Sequence, residues 1–167
     1  MPTEKNITPD IKQLEYFMSE ALKEARLAFD QEEVPVGAVI EYKGEIFSKG
    51  HNRRIEKKSS IAHAEIEAIE KACKKLGDWR LDGMTLYVTS EPCLMCAGAV
   101  VHSRIKKVVY GCKEPKMGAL RSRYRVFDVN DLHHKVDYIG GILEKECSSI
   151  LTEFFVKIRK SKKGSLK

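Results

Sequence analysis

No apolar run in the 167 residues approaches the roughly 18 that a membrane-spanning helix needs. The opening Met1-Pro2-Thr3-Glu4-Lys5-Asn6 is polar and charged, without the apolar stretch of a secretory leader, so a soluble cytosolic chain is expected. There is too little chain for two ordinary domains, and 43% hydrophobic residues suit one core of normal size. No internal repeat is present. The five cysteines form no disulfide framework, and Cys93-Leu94-Met95-Cys96 is a lone CxxC with no second pair to complete a four-cysteine metal knot. Cys73, Cys112 and Cys147 read as ordinary buried thiols. Acidic residues are the minority charge, and the excess of +6 should draw polyanions such as RNA or DNA to the surface.

Periodicity divides what remains. From Asp10 to Phe29, residues Ile11, Leu14, Phe17, Met18, Ala21, Leu22, Ala25 and Phe29 recur at helical spacing. Val34 to Ile40 reads as a buried strand, paired through a turn at Lys43-Gly44 with a second strand from Glu45 to Ser48. A polar loop from His51 leads to a helix from Ala62 to Lys75, with Ser59 or Ser60 available to cap it and Gly77-Asp78 to end it. Met84 to Thr89 and Lys107 to Tyr110 are strand-like and flank a short apolar helix from Cys93 to His102, a βαβ unit that carries the CxxC. Val136 to Ile139 supplies a fifth short strand, and Cys147 to Lys160 a closing helix. The expected organisation is a flexible 1–9, a single domain over 10–160 and a basic disordered tail over 161–167.

Chemistry concentrates in His63-Ala64-Glu65 and Glu91-Pro92-Cys93-Leu94-Met95-Cys96. Cysteines three apart on a helix have Cβ atoms about 5–6 Å apart and can grip one ion from a single turn. At a helix N-terminus the dipole favours both sulfurs as thiolates, which makes Cys93 and Cys96 better zinc ligands. His63 completes three ligands, the number that leaves a fourth tetrahedral position open for water in catalytic zinc sites. Glu65 stays unligated as a general acid–base. Residues two apart on a helix point roughly 200° from one another, so His63 and Glu65 can converge only from a first turn, leaning past the helix end. Two helix N-termini should therefore meet at one Zn2+. HxE followed some thirty residues later by PCxxC is the signature of zinc deaminases, which activate water against an aromatic amidine. His51, His102, His133 and His134 lack such spacing and read as structural or surface groups.

These motifs, with Glu33-Val34-Pro35-Val36-Gly37-Ala38-Val39, Gly50-His51-Asn52-Arg53, Leu86-Tyr87-Val88-Thr89, His102-Ser103-Arg104-Ile105 and Phe154-Phe155, make the chain similar to the bacterial tRNA-specific adenosine deaminases of the cytidine/deoxycytidylate deaminase superfamily. The resemblance implies a three-layer α/β/α sandwich of cytidine-deaminase-like fold with a mixed central sheet of about five strands. It implies conversion of adenosine to inosine at the wobble position of a tRNA, usually one that decodes arginine, by a cytoplasmic homodimer holding one Zn2+ per subunit. Carried over by position, His63, Cys93 and Cys96 hold the metal and Glu65 moves protons. Asn52 and the Ala64 backbone N–H bind the flipped base, while Val34, Pro35 and Phe155 line its pocket. The loop after Tyr110 departs from the family. Glu114 stands where an Asp is common, and Met117 to Arg123 is bulkier and more charged than usual. Lys113, Glu114, Lys116, Arg121 and Arg123 are candidate RNA contacts there, the alternative being a solvated loop. Two other functions stay open: a deaminase of a free base or nucleoside such as guanine, cytosine or cytidine, and an RNA-binding module that uses zinc only to fold.

Overall fold

The computed structural model describes residues 10–165. Helix α1 (Ile11–Asp30) starts where Asp10 accepts the Lys12 N–H at 3.1 Å, so the N-cap residue supplies the acceptor that the free first-turn donors need. Strands β1 (Gly37–Tyr42) and β2 (Glu45–His51) form the expected antiparallel hairpin. Its two turn residues, Lys43 and Gly44, have φ of 53° and 83°, the left-handed pair whose twist matches that of the strands. Helix α2 (Ala64–Leu76), strand β3 (Thr85–Ser90), helix α3 (Leu94–His102) and strand β4 (Lys107–Cys112) follow, then β5 (Asp137–Gly140) and helix α4 (Glu144–Gly164).

The sheet order is β2-β1-β3-β4-β5, with β1 antiparallel to both β2 and β3 and with β3, β4 and β5 parallel. Alternate residues of the central strands serve opposite faces. Ala38, Ile40, Leu86, Val88, Val108 and Tyr110 pack on α2 and α3 with Ala68, Ala72, Ala97 and Val100. Val39, Tyr87 and Val109 meet Phe17, Met18 and Ala21 of α1 and Cys147 of α4. This is the three-layer α/β/α sandwich with a five-stranded mixed sheet that the family resemblance implies. Both faces of β3 and β4 are covered, as central parallel strands require, while β5 at the edge is only partly buried.

Four local expectations are corrected. The first strand begins at Gly37 rather than Val34. Pro35 has no N–H for a ladder, and the Val36 N–H turns back to the Val34 carbonyl at 2.8 Å. The second strand runs on to His51. Helix α2 starts at Ala64 with His63 as its N-cap, so neither Ser59 nor Ser60 caps it. The Ala62 carbonyl instead accepts the Arg53 N–H at 3.0 Å, which holds that segment extended. Helix α4 starts at Glu144 and runs through Gly164, past the expected end at Lys160, since nothing from Ser161 to Lys163 breaks a helix. The flexible terminus expected over 1–9 and the last two residues of the expected tail lie outside the described residues.

Two glycines set how closely the helices approach the sheet. A Cβ at Gly37 would lie 2.0 Å from the Ala21 carbonyl oxygen of α1, and one at Gly50 would lie 2.5 Å from the Ala64 carbonyl oxygen of α2. Backbone therefore rests on backbone at both points, and only glycine permits it.

Candidate metal centre and substrate cavity

Strand directions bring four separate segments to one end of the sheet. Strands β3 and β4 run toward that end in parallel, with Ser90 level with Cys112. Strand β1 starts there, because it is antiparallel to β3, and β2 finishes there, with Gly37 opposite His51. The residues before β1 and after β2, β3 and β4 thus surround one space, and the first turns of α2 and α3 face it. Open α/β sheets commonly place their ligands beyond the carboxyl ends of parallel strands.

Three side chains converge there. His63 and Cys93 are the N-cap residues of α2 and α3, and Cys96 lies one turn into α3. The His63 Nδ1 is 3.7 Å from the Cys93 Sγ and 3.6 Å from the Cys96 Sγ, and all three donor atoms lie within 4.8 Å of one another. Tetrahedral zinc with bonds of about 2.3 Å to sulfur and 2.0 Å to nitrogen would space its S and N ligands about 3.5 Å apart. One imidazole and two thiols at these separations fit that ion. Among the described residues no other trio of such side chains comes together.

The three donors share protons and charge among themselves. The Cys93 thiol is pulled down to about 4 by the hydrogen bond from Cys96, with His63 adding to it and burial opposing. Sharing with Cys93, and burial, push the Cys96 thiol up. The Cys93 sulfur also raises His63. A divalent ion would relieve this competition by taking the place of the shared protons. Glu65, one residue into α2, is only 4% exposed and lies outside the trio. Its burial pushes the carboxyl above the ordinary carboxylate range, opposed by its own backbone N–H and by His63.

A cavity of about 300 Å³ opens over the trio, at the small end of the ~300–1,000 Å³ typical of ligand pockets. Val34 and Val36 line it from before β1, and Asn52 and Arg54 from after β2. His63, Ala64 and Glu65 contribute from α2, Ser90, Glu91 and Cys93 from the end of β3, and Glu114 and Met117 from the loop after β4. Asn52 is 5% exposed; its side-chain N–H donates to the Val34 carbonyl at 3.3 Å, and its Oδ1 is buried without a partner among the described residues. A buried acceptor left open at a cavity wall is unfavourable until a ligand supplies a donor.

The other expected site residues are placed differently. Pro35 is buried and does not line the cavity; Val36 does. Phe155 lines an adjoining space of about 560 Å³ with Phe154, Ile158 and Lys58, and that space shares Val34, Asn52 and Arg54 with the first. Lys113, Lys116, Arg121 and Arg123 are exposed on the loop that bears Glu114 and Met117. Sequence reasoning did not assign Arg54, Ser90, Glu91 or Met117 to the cavity. Glu91 sits inside the PCxxC stretch and Arg54 two residues after Asn52, so adjacency to motif residues was their one available signal.

A family model described as MafB19-like deaminase matches residues 12–159. The tRNA-specific adenosine deaminase of Bacillus subtilis (strain 168) is 48% identical over 153 residues, which are 92% of this chain and 95% of that protein. The tRNA-specific adenosine deaminase of Aquifex aeolicus (strain VF5) is 48% identical over 145 residues, 87% of this chain and 95% of that one. A solved structure from studies of A-to-I editing by tRNA:A34 deaminases at the wobble position of transfer RNA matches with a TM-score of 0.79 at 45% identity, over 81% of this chain and 99% of that chain.

Proposed function

The chain belongs to the tRNA-specific adenosine deaminases, and on that premise we propose that it converts adenosine 34 of a tRNA, first among them one that decodes arginine, to inosine by zinc-dependent hydrolysis. The observation that carries the reading is a buried Glu65, outside the His63, Cys93 and Cys96 donor group, lining a cavity sized for one base. Zinc held by those three side chains would lower the pKa of a bound water to about 7.

The remaining work falls to the chain's own groups. Water adds its oxygen to C6 of the purine, the C6–N6 bond breaks, and ammonia leaves. Glu65 takes the proton that water gives up and delivers it to the nitrogen side of the reacting centre. Burial shifts its pKa upward, the direction that lets a carboxyl both accept and return a proton. Asn52 holds the base by its side-chain amide and the Ala64 backbone N–H donates at the first turn of α2. Val34 and Val36 cover a ring face and help to exclude water.

The adjoining space lined by Phe154, Phe155 and Ile158 supports a nucleotide within a polymer over a free base, since it offers aromatic surface and Lys58 beyond a cavity that one base would fill. A tRNA substrate supports a cytoplasmic location; among the described residues no helix is long and apolar enough to cross a membrane. A homodimer with one zinc per subunit completes the proposal.

The test is ammonia release from tRNA, an anticodon stem-loop, adenosine, guanine and cytosine offered separately, with inosine at position 34 read by sequencing. Turnover of a free base alone would replace the RNA reading. Glu65→Ala should keep about one zinc per chain and RNA binding while deamination falls at least 10²-fold, whereas Cys93→Ala should lose the metal. Undiminished inosine formation in the Glu65 variant would refute its role as proton carrier, whereas a parent chain that binds zinc and RNA without releasing ammonia would point instead to a module that uses zinc only to fold.

A further inference from the structure

Glu91 stands immediately before the Pro92-Cys93 start of the metal-bearing turn and has no part in the chemistry above. It is 3% exposed, and its backbone N–H donates to the Cys112 carbonyl at 2.9 Å, which ties the end of β3 to the end of β4. Its carboxylate gathers donors from the loop that follows β4. The Oε1 atom accepts the backbone N–H groups of Leu120, Arg121 and Ser122 at 3.1, 2.7 and 2.9 Å. The Oε2 atom accepts the Glu114 N–H at 3.2 Å and the Ser122 hydroxyl. Two carboxylate oxygens offer about four lone-pair directions, and five donors occupy them. No acceptor capacity is left for substrate, which separates Glu91 from Glu65 although both border the cavity.

The loop closes on this carboxylate without space to spare. A Cβ at Gly118 would lie 2.6 Å from both the Cδ and the Oε2 of Glu91 and 2.4 Å from the Glu114 carbonyl oxygen. Glu114 and Met117, the two residues of this loop that line the cavity, lie within the span whose ends Glu91 holds.

We infer that Glu91 is a positioning residue: its saturated carboxylate folds residues 114–122 into a fixed lip and so sets where Glu114 and Met117 meet the substrate. Charged acceptors form the stronger hydrogen bonds, and a preorganised lip lowers the ordering that binding would otherwise require. The kinetic consequence rests on the deaminase reading, and the folding of the lip does not.

Glu91→Gln keeps the shape. Its amide oxygen can replace Oε1, but its NH2 then faces the Glu114 N–H, donor against donor, and the Glu114 end of the lip is released. Gly118→Ala disturbs the same contact from the loop side. Hydrogen exchange of amides 114–122 should accelerate at least tenfold in both variants while exchange in α1 stays at the parent rate. KM for an anticodon stem-loop should rise about tenfold with kcat within about threefold and zinc content unchanged. The double variant should be clearly less impaired than the product of the two single effects, because both act on one contact.

Glu33→Gln is the matched control. Glu33 is equally buried and holds the opposite lip through the Ile55 and Glu56 N–H groups at 2.7 and 2.9 Å, so its variant should leave exchange over 114–122 unchanged. Parent-rate exchange over 114–122 in Glu91→Gln and Gly118→Ala would overturn the assignment. So would equal acceleration throughout the chain, in the control as in the others, or loosened lips with unaltered KM. A parent protein inactive on RNA would defeat the deaminase reading instead, and the exchange measurements would still decide whether Glu91 folds the lip.

Discussion

A methyl group added at Gly50 probes how the sheet places the metal centre. Gly50 lies on β2, and its Cβ would sit 2.5 Å from the Ala64 carbonyl oxygen, 2.6 Å from the Ala68 backbone nitrogen and 2.9 Å from the Glu67 Cβ. Ordinary contact begins near 3.4 Å, so α2 must retreat by about 0.9 Å (3.4 − 2.5). Neither obstructing backbone atom can rotate away, and Ala64 lies between His63 and Glu65. Metal–ligand distances tolerate about 0.2 Å, and a displacement near 1 Å at a reacting centre lowers rate roughly 10²-fold. Gly50→Ala should therefore lower kcat/KM about 100-fold and reduce zinc occupancy. Overpacking should also remove about 1–3 kcal/mol of stability, or roughly 3–10 °C in Tm. The assay is zinc content per folded chain, kcat/KM on an anticodon stem-loop and a thermal melt. Gly37→Ala is the companion, because it forces α1, which bears no ligand, away from β1; its folded fraction should keep one zinc per chain despite the lower stability. Full zinc occupancy and kcat/KM within threefold of the parent in Gly50→Ala would refute the claim that close packing at Gly50 places His63 and Glu65.

Further outcomes follow from individual contacts. Asp10→Ala removes the acceptor at the start of α1 and should lower stability by about 1 kcal/mol in a denaturant titration, with catalysis unaltered. Lys23 and Lys49 hold the nearly buried Glu20 carboxyl below the ordinary carboxylate range. That contribution is complete above the unfolded pKa and disappears as pH falls through the lower folded value, so Glu20→Gln should flatten the acid limb of a stability–pH curve below about pH 5 and leave its shape near neutrality unchanged. Reversing the exposed Arg121 and Arg123 to Glu should weaken tRNA binding and reduce the slope of log K against log salt by up to about 2, whereas an unaltered slope would return both to a solvated loop.

What the sequence determined by itself was whatever repeats within a few residues. Helix and strand faces were legible because apolar side chains recur at 3.6 or 2 residues, and the hairpin because Lys43-Gly44 accepts left-handed backbone. The cysteine half of the metal centre was legible because Cys93 and Cys96 belong to one turn. Boundaries were less so: the run Val34-Pro35-Val36 has the same apolar pattern inside a strand as before one, and only the missing Pro35 N–H separates the two. The start of α2 was misread because Ala62 and His63 are held extended by a bond to Arg53, nine residues before Ala62, which no local pattern records.

Tertiary structure alone decided the company that the motif keeps. The strand order β2-β1-β3-β4-β5, with β1 reversed against β3, brings the ends of four strands to one place. Only there do Arg54, Ser90, Glu91, Glu114 and Met117 become neighbours of His63. Glu91 shows the difference most clearly. In the sequence it is the residue before Pro92, whereas in the fold the five hydrogen bonds to its carboxylate reach 23 to 31 residues ahead. Periodicity governs contacts along one helix or strand; the closing of a loop onto a buried carboxylate depends on which strands lie side by side, and that is a property of the assembled sheet.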